Sequence, residues 1–289
     1  MAYRLSVPLS RQRRSRLAAA LVVTLLCGII YLVLRPSQAP PPPRFTACAA
    51  DVGGQELPLT PAQAGIAAVI AGVASRLALP ARAVAIAYAT ALQESKLQNL
   101  HYGDLDSVGV FQQRPSEGWG TVRQIEDPVY ATERFFGALI EVPQYLNLPI
   151  DVAAQDVQHS ADGSAYGQWA DLGTLLASAF TGADPHSVWC SYSDPAGPST
   201  LAAAGRAMTA AFGLTARPMR RGQTMIVSVE AVAQGWAVTA WLVSHGAEYG
   251  IDSVRYGGYQ WVGFSGPSRW RAERGTPRAP GGTASVEFG

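Results

Sequence analysis

The sequence predicts a mainly α-helical domain, a small α+β module after it and one hydrophobic helix at the N-terminus. Residues 17–34 form an uncharged run of 18 residues that follows a cluster of arginines. Apolar residues recur at helical spacing through much of 58–195, whereas 224–270 combines strand-like runs with a single helix. A chain of 289 residues has room for about two folded domains.

Composition and these patterns divide the chain into consecutive segments. The segments are a basic tail (1–16), a transmembrane helix (17–35), a proline-rich spacer (36–57), the helical domain (58–195), a helical segment with a basic linker (196–223), the α+β module (224–270) and a disordered tail (271–289). The last segment is assigned as disordered because it is rich in glycine, proline and threonine.

The run 17–34 is expected to anchor the protein in the cell membrane as a single-pass helix, since it reaches the lower limit for spanning a bilayer. The arginines before it predict a cytoplasmic N-terminus, with the bulk of the chain extracytoplasmic. A cleaved signal peptide is the alternative. The run is long for a signal core, and Ser37-Gln38-Ala39 is a poor cleavage site ahead of Pro40–Pro43. These prolines predict a stiff extended spacer.

The exported part of the chain is expected to be acidic. Six arginines and no acids precede residue 36, which leaves 16 basic against 21 acidic residues, a net charge of −5. This charge argues against nucleic acid as a partner. The four histidines show no His-x-x-x-His spacing, so neither a metal site nor another cofactor is predicted.

Two cysteines, Cys48 and Cys190, flank the predicted helical domain, while Cys27 lies in the anchor. In an exported protein such a pair favours a disulfide, and closing so long a loop contributes about 4–5 kcal/mol in the chain-entropy model. Two separate buried thiols are the alternative.

The helical domain begins at Thr60, which can cap a helix, and Pro61, which suits its first turn. The apolar residues that follow at helical spacing are Ile66, Val69, Ile70, Val73 and Leu77. Pro80 stops this helix, and a second is predicted over 81–94. Residues 95–126, rich in glycine, proline and polar side chains, predict a long irregular excursion, which in a compact domain is usually functional.

Asp127-Pro128 restarts the helical pattern, and Pro149 ends it. Further helices are predicted over 151–159, 172–180 and 198–212. In the α+β module the expected elements are a strand (225–229), a helix (232–249) and two strands (253–256 and 259–263) joined by Gly257-Gly258.

Glu94 is the main candidate for a catalytic group, because it falls where the second helix ends and the irregular excursion begins. A carboxylic acid in this position is partly desolvated, which favours its neutral form. A neutral acid can protonate the leaving oxygen of a glycosidic bond. The alternative is a structural glutamate that pairs with Lys96 or Arg114.

Glu94-Ser95, with Gly109-Val110-Phe111-Gln112 on the next loop, resembles the lysozyme-like fold of bacterial lytic transglycosylases and related peptidoglycan hydrolases. The longer run 103–120 resembles membrane-anchored, cell-wall-facing members, and the likeness covers roughly 58–195. It implies that Glu94 acts as general acid and then base on peptidoglycan glycan strands, between N-acetylmuramic acid and N-acetylglucosamine. It also implies that Ser95 belongs to the site and that Gln112 lines the sugar cleft.

Other residues of the excursion are candidates for sugar contacts. Gln112 and Gln113 offer amide donors and acceptors, which suit N-acetyl and hydroxyl groups. Tyr102, Phe111 and Trp119 could stack on sugar rings, although Phe111 fits a core position as well.

Asp104 and Asp106 could position a water molecule, as acidic residues do in some inverting lysozyme-like enzymes. They could equally organise the loop by accepting hydrogen bonds from backbone amides. Transglycosylases need no second carboxylate, because groups of the substrate assist and a 1,6-anhydro product forms.

The chain departs from the related enzymes at one place. They usually carry an Ala-Tyr-Asn segment on a later helix, where residues 153–160 here read Ala-Ala-Gln-Asp-Val-Gln-His-Ser. Gln155 or Gln158 could replace the asparagine, and Tyr166 the tyrosine. This departure leaves open a non-catalytic peptidoglycan-binding or wall-assembly protein on the same scaffold.

Overall fold

The computed structural model has a mixed α+β fold. It describes residues 46–159, 163–193, 201–214, 216–218, 224–264, 268–273 and 282–288. Within these ranges no helix is both long and apolar enough to cross a membrane. The predicted anchor (17–35), the basic tail before it, Cys27 and the proline run lie outside the described residues.

The described elements alternate between helices and short strands. The helices are α1 (Pro61–Arg76), α2 (Ala81–Ser95), α3 (Val122–Ile125), α4 (Pro128–Glu141), α5 (Ile150–Gln158), α6 (Ala170–Phe180), α7 (Leu201–Phe212), α8 (Val232–Ser244) and α9 (Gly246–Tyr249), with 3-10 segments at Pro115–Glu117 and Gly163–Trp169. The strands are β1 (Ala47–Val52), β2 (Gln55–Leu59), β3 (Val188–Ser191), β4 (Ala216–Pro218), β5 (Thr224–Val229), β6 (Ile251–Tyr256), β7 (Tyr259–Val262), β8 (Arg271–Ala272) and β9 (Gly282–Phe288).

The starts of the helices follow from local capping chemistry. The Thr60 hydroxyl accepts the Gln63 backbone N–H, and the Gln63 side chain accepts the Thr60 N–H, so both orphan donors at the start of α1 are satisfied. Asp127 caps α4 by accepting the Val129 N–H at 2.9 Å. The helix starts predicted from the sequence are therefore confirmed at these two places.

Helix α2 lies at the centre of the helical part and packs against α1, α5 and α6. Its side chains from Ala83 to Leu92 are buried, and the fully buried Tyr88 donates a hydrogen bond to the Ala67 carbonyl at 2.7 Å. Burial raises the pKa of Tyr88. Lys96 ends the helix in the left-handed conformation, with φ of 56°. The apolar body of α2 thus delivers its last turn, with Glu94, to the protein surface.

The first sheet has the antiparallel order β2–β1–β3 and corrects the predicted spacer. Residues 47–57 were assigned to an extended spacer, but they form most of the β1–β2 hairpin. Small apolar residues in β1, including Ala49 and Ala50, are buried, which is why this strand joins the core. Cys48 lies opposite Cys190 in β3, and the two form a disulfide with Cα atoms 4.0 Å apart, as predicted.

The second sheet has the order β4–β5–β9–β6–β7–β8, and it corrects the predicted disordered tail. Residues 282–288 form β9, which pairs antiparallel with β5 on one side and β6 on the other. Val227 lies opposite Ala284, and Val254 lies opposite Val286. The last strand of the chain therefore joins two strands that are far from it in sequence.

The described structure does not divide at 195 and 224, where the sequence suggested domain boundaries. Helix α8 packs against α1, α6 and β3, and the Trp261 indole donates to the Cys190 carbonyl at 2.9 Å. The Tyr192 hydroxyl likewise donates to the Val243 carbonyl at 2.8 Å. The described residues within 44–289 consequently form one compact unit with a continuous hydrophobic core.

Candidate functional site

A groove of about 1200 Å³ opens beside the last turn of α2. Its walls are the end of α2, the loop between α2 and α3, the exposed face of α4 and the end of α5. The residues that line it include Glu94, Asp104, Gln112, Gln113, Arg114, Trp119, Arg134, Gln158 and His159. A groove of this size can accommodate a chain of sugar rings. The rest of α2 is buried by packing against other helices.

The Glu94 carboxylate is half-buried and held from one side. The Tyr166 hydroxyl donates a hydrogen bond of 2.6 Å to its Oε1 atom. The ion-pair alternative does not hold in the structure. The Lys96 ammonium lies 4.4 Å from the centroid of the Trp169 ring, and Arg114 pairs with Asp106 and Glu117. Among the described residues, no salt bridge engages Glu94, so its carboxylate is oriented without being neutralised.

The loop beside Glu94 is tied to α2 through Ser95. This side chain is 3% exposed, and its hydroxyl lies 2.7 Å from the Val110 carbonyl, to which it donates, and 3.1 Å from the Ala91 carbonyl, which competes for the same proton. Ser95 lies behind the wall of the groove and not along it. These hydrogen bonds hold the loop against α2 and so fix its position relative to Glu94.

Gly109 allows the loop to approach α3 closely. Its φ of 82° lies in the left-handed region, and a Cβ there would stand 2.7 Å from the Ile125 carbonyl oxygen. Its N–H donates to the Leu100 carbonyl at 2.7 Å, which also links this part of the loop to the segment that follows α2. Phe111 then turns inward, fully buried, and stacks on Phe135 with ring centroids 4.4 Å apart. Phe111 is therefore a core residue and not a stacking face for sugar.

Gln112 borders the groove, but its amide is used within the loop. Its Oε1 accepts the Ser107 hydroxyl at 3.1 Å, and its Nε2 donates to the Gly109 carbonyl at 3.1 Å and the Tyr102 carbonyl at 3.3 Å. Gly103 approaches the Gln112 side chain so closely that a Cβ there would overlap it. Gln112 thus shapes the groove through the loop, and a direct sugar contact remains a prediction.

Gln113 is 2% exposed and lies at the base of the groove. Its Nε2 donates to the Ala131 carbonyl at 3.1 Å, while its Oε1 is buried without a hydrogen-bond partner. A buried acceptor that has no partner is uncommon. Because this atom is closed off from solvent, a contact between Gln113 and a sugar remains a prediction.

The two aspartates of the loop have different surroundings. Asp104 is exposed and lines the groove, and its side chain makes no hydrogen bond with a described residue. Asp106 accepts the Ser116 N–H at 2.8 Å and the Arg114 Nε–H at 2.9 Å. These bonds, first the one from the Ser116 backbone, lower the pKa of Asp106 to about 2. Asp106 therefore organises the loop, and Asp104 is the carboxylate that remains available in the groove.

The two remaining aromatic candidates, Trp119 and Tyr102, differ in their relation to the groove. Trp119 is half-buried, packs against the core and borders the groove, where its carbonyl accepts the Tyr130 hydroxyl at 3.2 Å. Tyr102 is 72% exposed and lies outside the groove lining. Of the two, Trp119 borders the groove and Tyr102 does not, and stacking of Trp119 on a sugar ring remains a prediction.

Several groove residues were given no role from the sequence, or only an uncertain one. Gln158 lines the groove and donates to the Phe111 carbonyl at 2.8 Å. Arg134 and His159 add basic groups to the far side. Helical spacing could have indicated Arg134, because it lies on the opposite face of α4 from the fully buried Leu139. Tyr166 lies 72 residues from Glu94 in the chain and had no local signal of this kind; only the family resemblance offered it, as a replacement for the tyrosine of the Ala-Tyr-Asn segment.

The described residues contain no group of histidine, cysteine, aspartate and glutamate side chains arranged to hold a metal ion. A scan against protein-family models gives no match, and a search of curated proteins gives none either.

Proposed function

We propose that the protein is a membrane-anchored, extracytoplasmic enzyme that cleaves the glycan strands of peptidoglycan, and that its helical part is a lysozyme-like scaffold. The observation that carries this proposal is the position of Glu94. It ends a buried helix, borders a groove of about 1200 Å³ and is oriented by Tyr166 without a neutralising cation among the described residues.

In the proposed reaction, the Glu94 carboxyl gives its proton to the glycosidic oxygen as the bond to the anomeric carbon breaks. The Glu94 carboxylate then accepts a proton from the group that attacks this carbon. Attack by the 6-hydroxyl of the same sugar gives a 1,6-anhydro product, as in a lytic transglycosylase. Attack by water gives a reducing end, as in a muramidase, and we assign the orientation of that water to Asp104 because it is exposed and lines the groove.

A second candidate function is binding without cleavage, in a wall-binding or assembly protein. It is favoured by the polar groups that the loop uses for its own structure. The Gln112 amide and the Asp106 carboxylate both bond to neighbouring loop residues. Fewer polar side chains than the sequence suggested are therefore free to form hydrogen bonds with the substrate as it passes to its transition state.

The test compares full-length protein with Glu94→Gln on purified peptidoglycan and analyses the released fragments by mass spectrometry. Glu141→Gln is the matched control, since Glu141 is exposed at the end of α4 and outside the groove. We expect wild type and Glu141→Gln to release the same fragments and Glu94→Gln to release none. Anhydro ends select the transglycosylase reaction, and reducing ends select hydrolysis.

A Trp119→Ala variant extends the same test to binding. We expect it to bind insoluble peptidoglycan more weakly per folded molecule, because the variant lacks the ring that would stack on a sugar. This stacking contact exists only when sugar is bound, so its loss weakens binding and not folding. Absence of any Glu94-dependent fragment from several wall types, with retained binding, would reject the enzymatic proposal and leave the binding function.

A further inference from the structure

One arginine of the groove beside Glu94 is not paired with an acid of the described chain. Arg134 lies on the exposed face of α4 and lines the groove. Its hydrogen bond to a described residue is a long one, 3.5 Å from Nη2 to the Gly118 carbonyl. The reaction proposed for Glu94 does not use this guanidinium.

Arg114 provides the comparison, because it lines the same groove. Its guanidinium donates to Asp106 at 2.9 Å and also pairs with Glu117, so its charge is already offset. Among the described residues, no acid forms a salt bridge with Arg134. Arg134 is therefore free to bind an anionic group that enters the groove.

The face of α4 that carries Arg134 also holds the segment with Trp119. The Tyr130 hydroxyl donates to the Trp119 carbonyl at 3.2 Å, and Arg134, four residues further on, reaches the carbonyl of Gly118. Residues four apart lie on the same face of a helix. An anion bound by Arg134 would thus lie close to the part of the groove that Trp119 borders.

The next groove residue on α4, Gly137, leaves space beside Arg134. It lies in the interior of the helix, where glycine is less favourable than alanine. The described structure gives no steric reason for this glycine, because its φ is not positive and a Cβ there would meet no atom within 4 Å. A branch on a sugar ring could enter this space and reach Arg134.

The proposed substrate carries an anion on such a branch. N-acetylmuramic acid bears a lactyl group that ends in a carboxylate or continues into a peptide stem with carboxylates of its own, whereas N-acetylglucosamine is neutral and unbranched. A guanidinium can bind a carboxylate through two parallel hydrogen bonds. The 21 acidic and 16 basic residues beyond residue 35 would by themselves repel an anion, so a preference for one requires a local cation.

We propose that Arg134 binds a carboxylate on the branch of N-acetylmuramic acid, and that the groove therefore selects anionic, branched glycan strands over neutral, unbranched ones. Gly137 provides the space for the branch. This inference rests on the proposed function, because it names the substrate class of the same groove. Arg134 determines specificity and takes no part in proton transfer.

The test measures binding and needs no turnover. It uses full-length Glu94→Gln protein in nanodiscs of zwitterionic lipid, so that no probe is cleaved. The first probe is a tetrasaccharide of two N-acetylglucosamine–N-acetylmuramic acid units with free lactyl carboxylates. The second has each carboxylate converted to an N-methylamide. The third has L-alanyl-D-isoglutamine on each lactyl group, which moves the carboxylate to the end of the branch.

We expect the better of the two carboxylate probes to bind about three- to fivefold more tightly than the methylamide, as for an exposed ion pair. Which of the two binds better identifies the lactyl group or the stem as the source of the carboxylate. The preference should decrease between about 20 mM and about 500 mM salt, because salt screens exposed charges. Added Arg134→Gln should abolish it. Added Arg123→Gln should retain it, since Arg123 is exposed on α3 and outside the groove.

Gly137→Leu in the same background tests the space for the branch. It should weaken binding of the three branched probes more than binding of an N-acetylglucosamine tetramer. The melting temperature without ligand should not fall, because leucine favours a helix and its Cβ meets no atom within 4 Å.

Equal binding of the carboxylate and methylamide probes, or a preference that persists in Arg134→Gln, would overturn the inference. So would the absence of binding of every probe at millimolar concentration. If wild type cleaves wall glycan but binds the probes equally, only this inference fails. If the preference depends on Arg134 but no fragment is ever released, the enzymatic proposal fails and the carboxylate site stands.

Discussion

Replacing Ser95 by alanine tests whether this residue supports the groove or contacts the substrate. In the structure the single proton of the Ser95 hydroxyl is within reach of two carbonyls, those of Val110 and Ala91, but only the Val110 carbonyl is hard to satisfy in another way. The Ala91 carbonyl also accepts the Leu97 N–H at 3.1 Å, whereas the Val110 carbonyl has Ser95 as its described partner. Val110 is fully buried, so its carbonyl would lose its bond where water cannot substitute.

The expected size of the effect follows from that single carbonyl. Leaving one buried acceptor unpaired costs about 1–3 kcal/mol, so Ser95→Ala should lower the free energy of unfolding by that amount. Thr90→Val is the matched control on the same helix, because the buried Thr90 hydroxyl donates only to the Ile86 carbonyl within α2, at 2.8 Å. Its loss should cost at most about 1 kcal/mol, since the helix retains its backbone bonds.

The measurement is denaturant unfolding of both variants without ligand, followed by peptidoglycan binding at matched folded fractions. We expect Ser95→Ala to be the less stable variant and to bind more weakly because the loop shifts. If Ser95→Ala unfolds like wild type within about 0.5 kcal/mol and still loses binding, the argument from Val110 fails. Ser95 would then act on the substrate itself, as the family resemblance implied.

Two further predictions concern the disulfide and the acid side of the pH scale. Non-reducing peptide mapping of protein from the envelope should join the Cys48 and Cys190 peptides, and replacing both by serine should cost about 2–5 kcal/mol of stability. Two alkylatable thiols would contradict the bridge. Asp106 has its pKa lowered to about 2 by Ser116 and Arg114, so the stability it adds is present above about pH 4 and lost towards pH 2. In acid unfolding, the difference in the free energy of unfolding between wild type and Asp106→Asn should decrease as the pH falls through that interval. A difference that stays constant would contradict the prediction.

The helices could be predicted because their signals are local. Thr60-Pro61 and Asp127-Pro128 contain both the capping group and the first helical residue, so a window of a few residues is sufficient. Some of the strands were harder to predict from the sequence. β1, β3 and β9 are each defined by partners elsewhere in the chain. The composition of 282–288 gives no sign that β5 and β6 leave a place for it between them.

The same distinction between local and distant signals explains which site residues were predicted. Asp104, Gln112, Gln113 and Trp119 lie on one stretch of loop next to Glu94, and all of them border the groove. Sequence proximity could not tell which side of that loop each residue faces. Asp106 and Ser95 were therefore assigned to the same site, although both bond to the loop backbone.

Tyr166 shows what a sequence argument needs in order to reach a distant partner. A glutamate at the end of an apolar helix either has a cation beside it or is oriented by a neutral donor, because a half-buried carboxylate is costly to leave without a hydrogen bond. The nearby cations, Lys96 and Arg114, are engaged with Trp169 and with acids of the loop. In the structure a neutral donor, the tyrosine on the 3-10 segment before α6, supplies this hydrogen bond at 2.6 Å. The fold that brings this tyrosine to Glu94 is the packing of α5 and α6 around α2, so the orientation of the proposed acid depends on the core of the helical part.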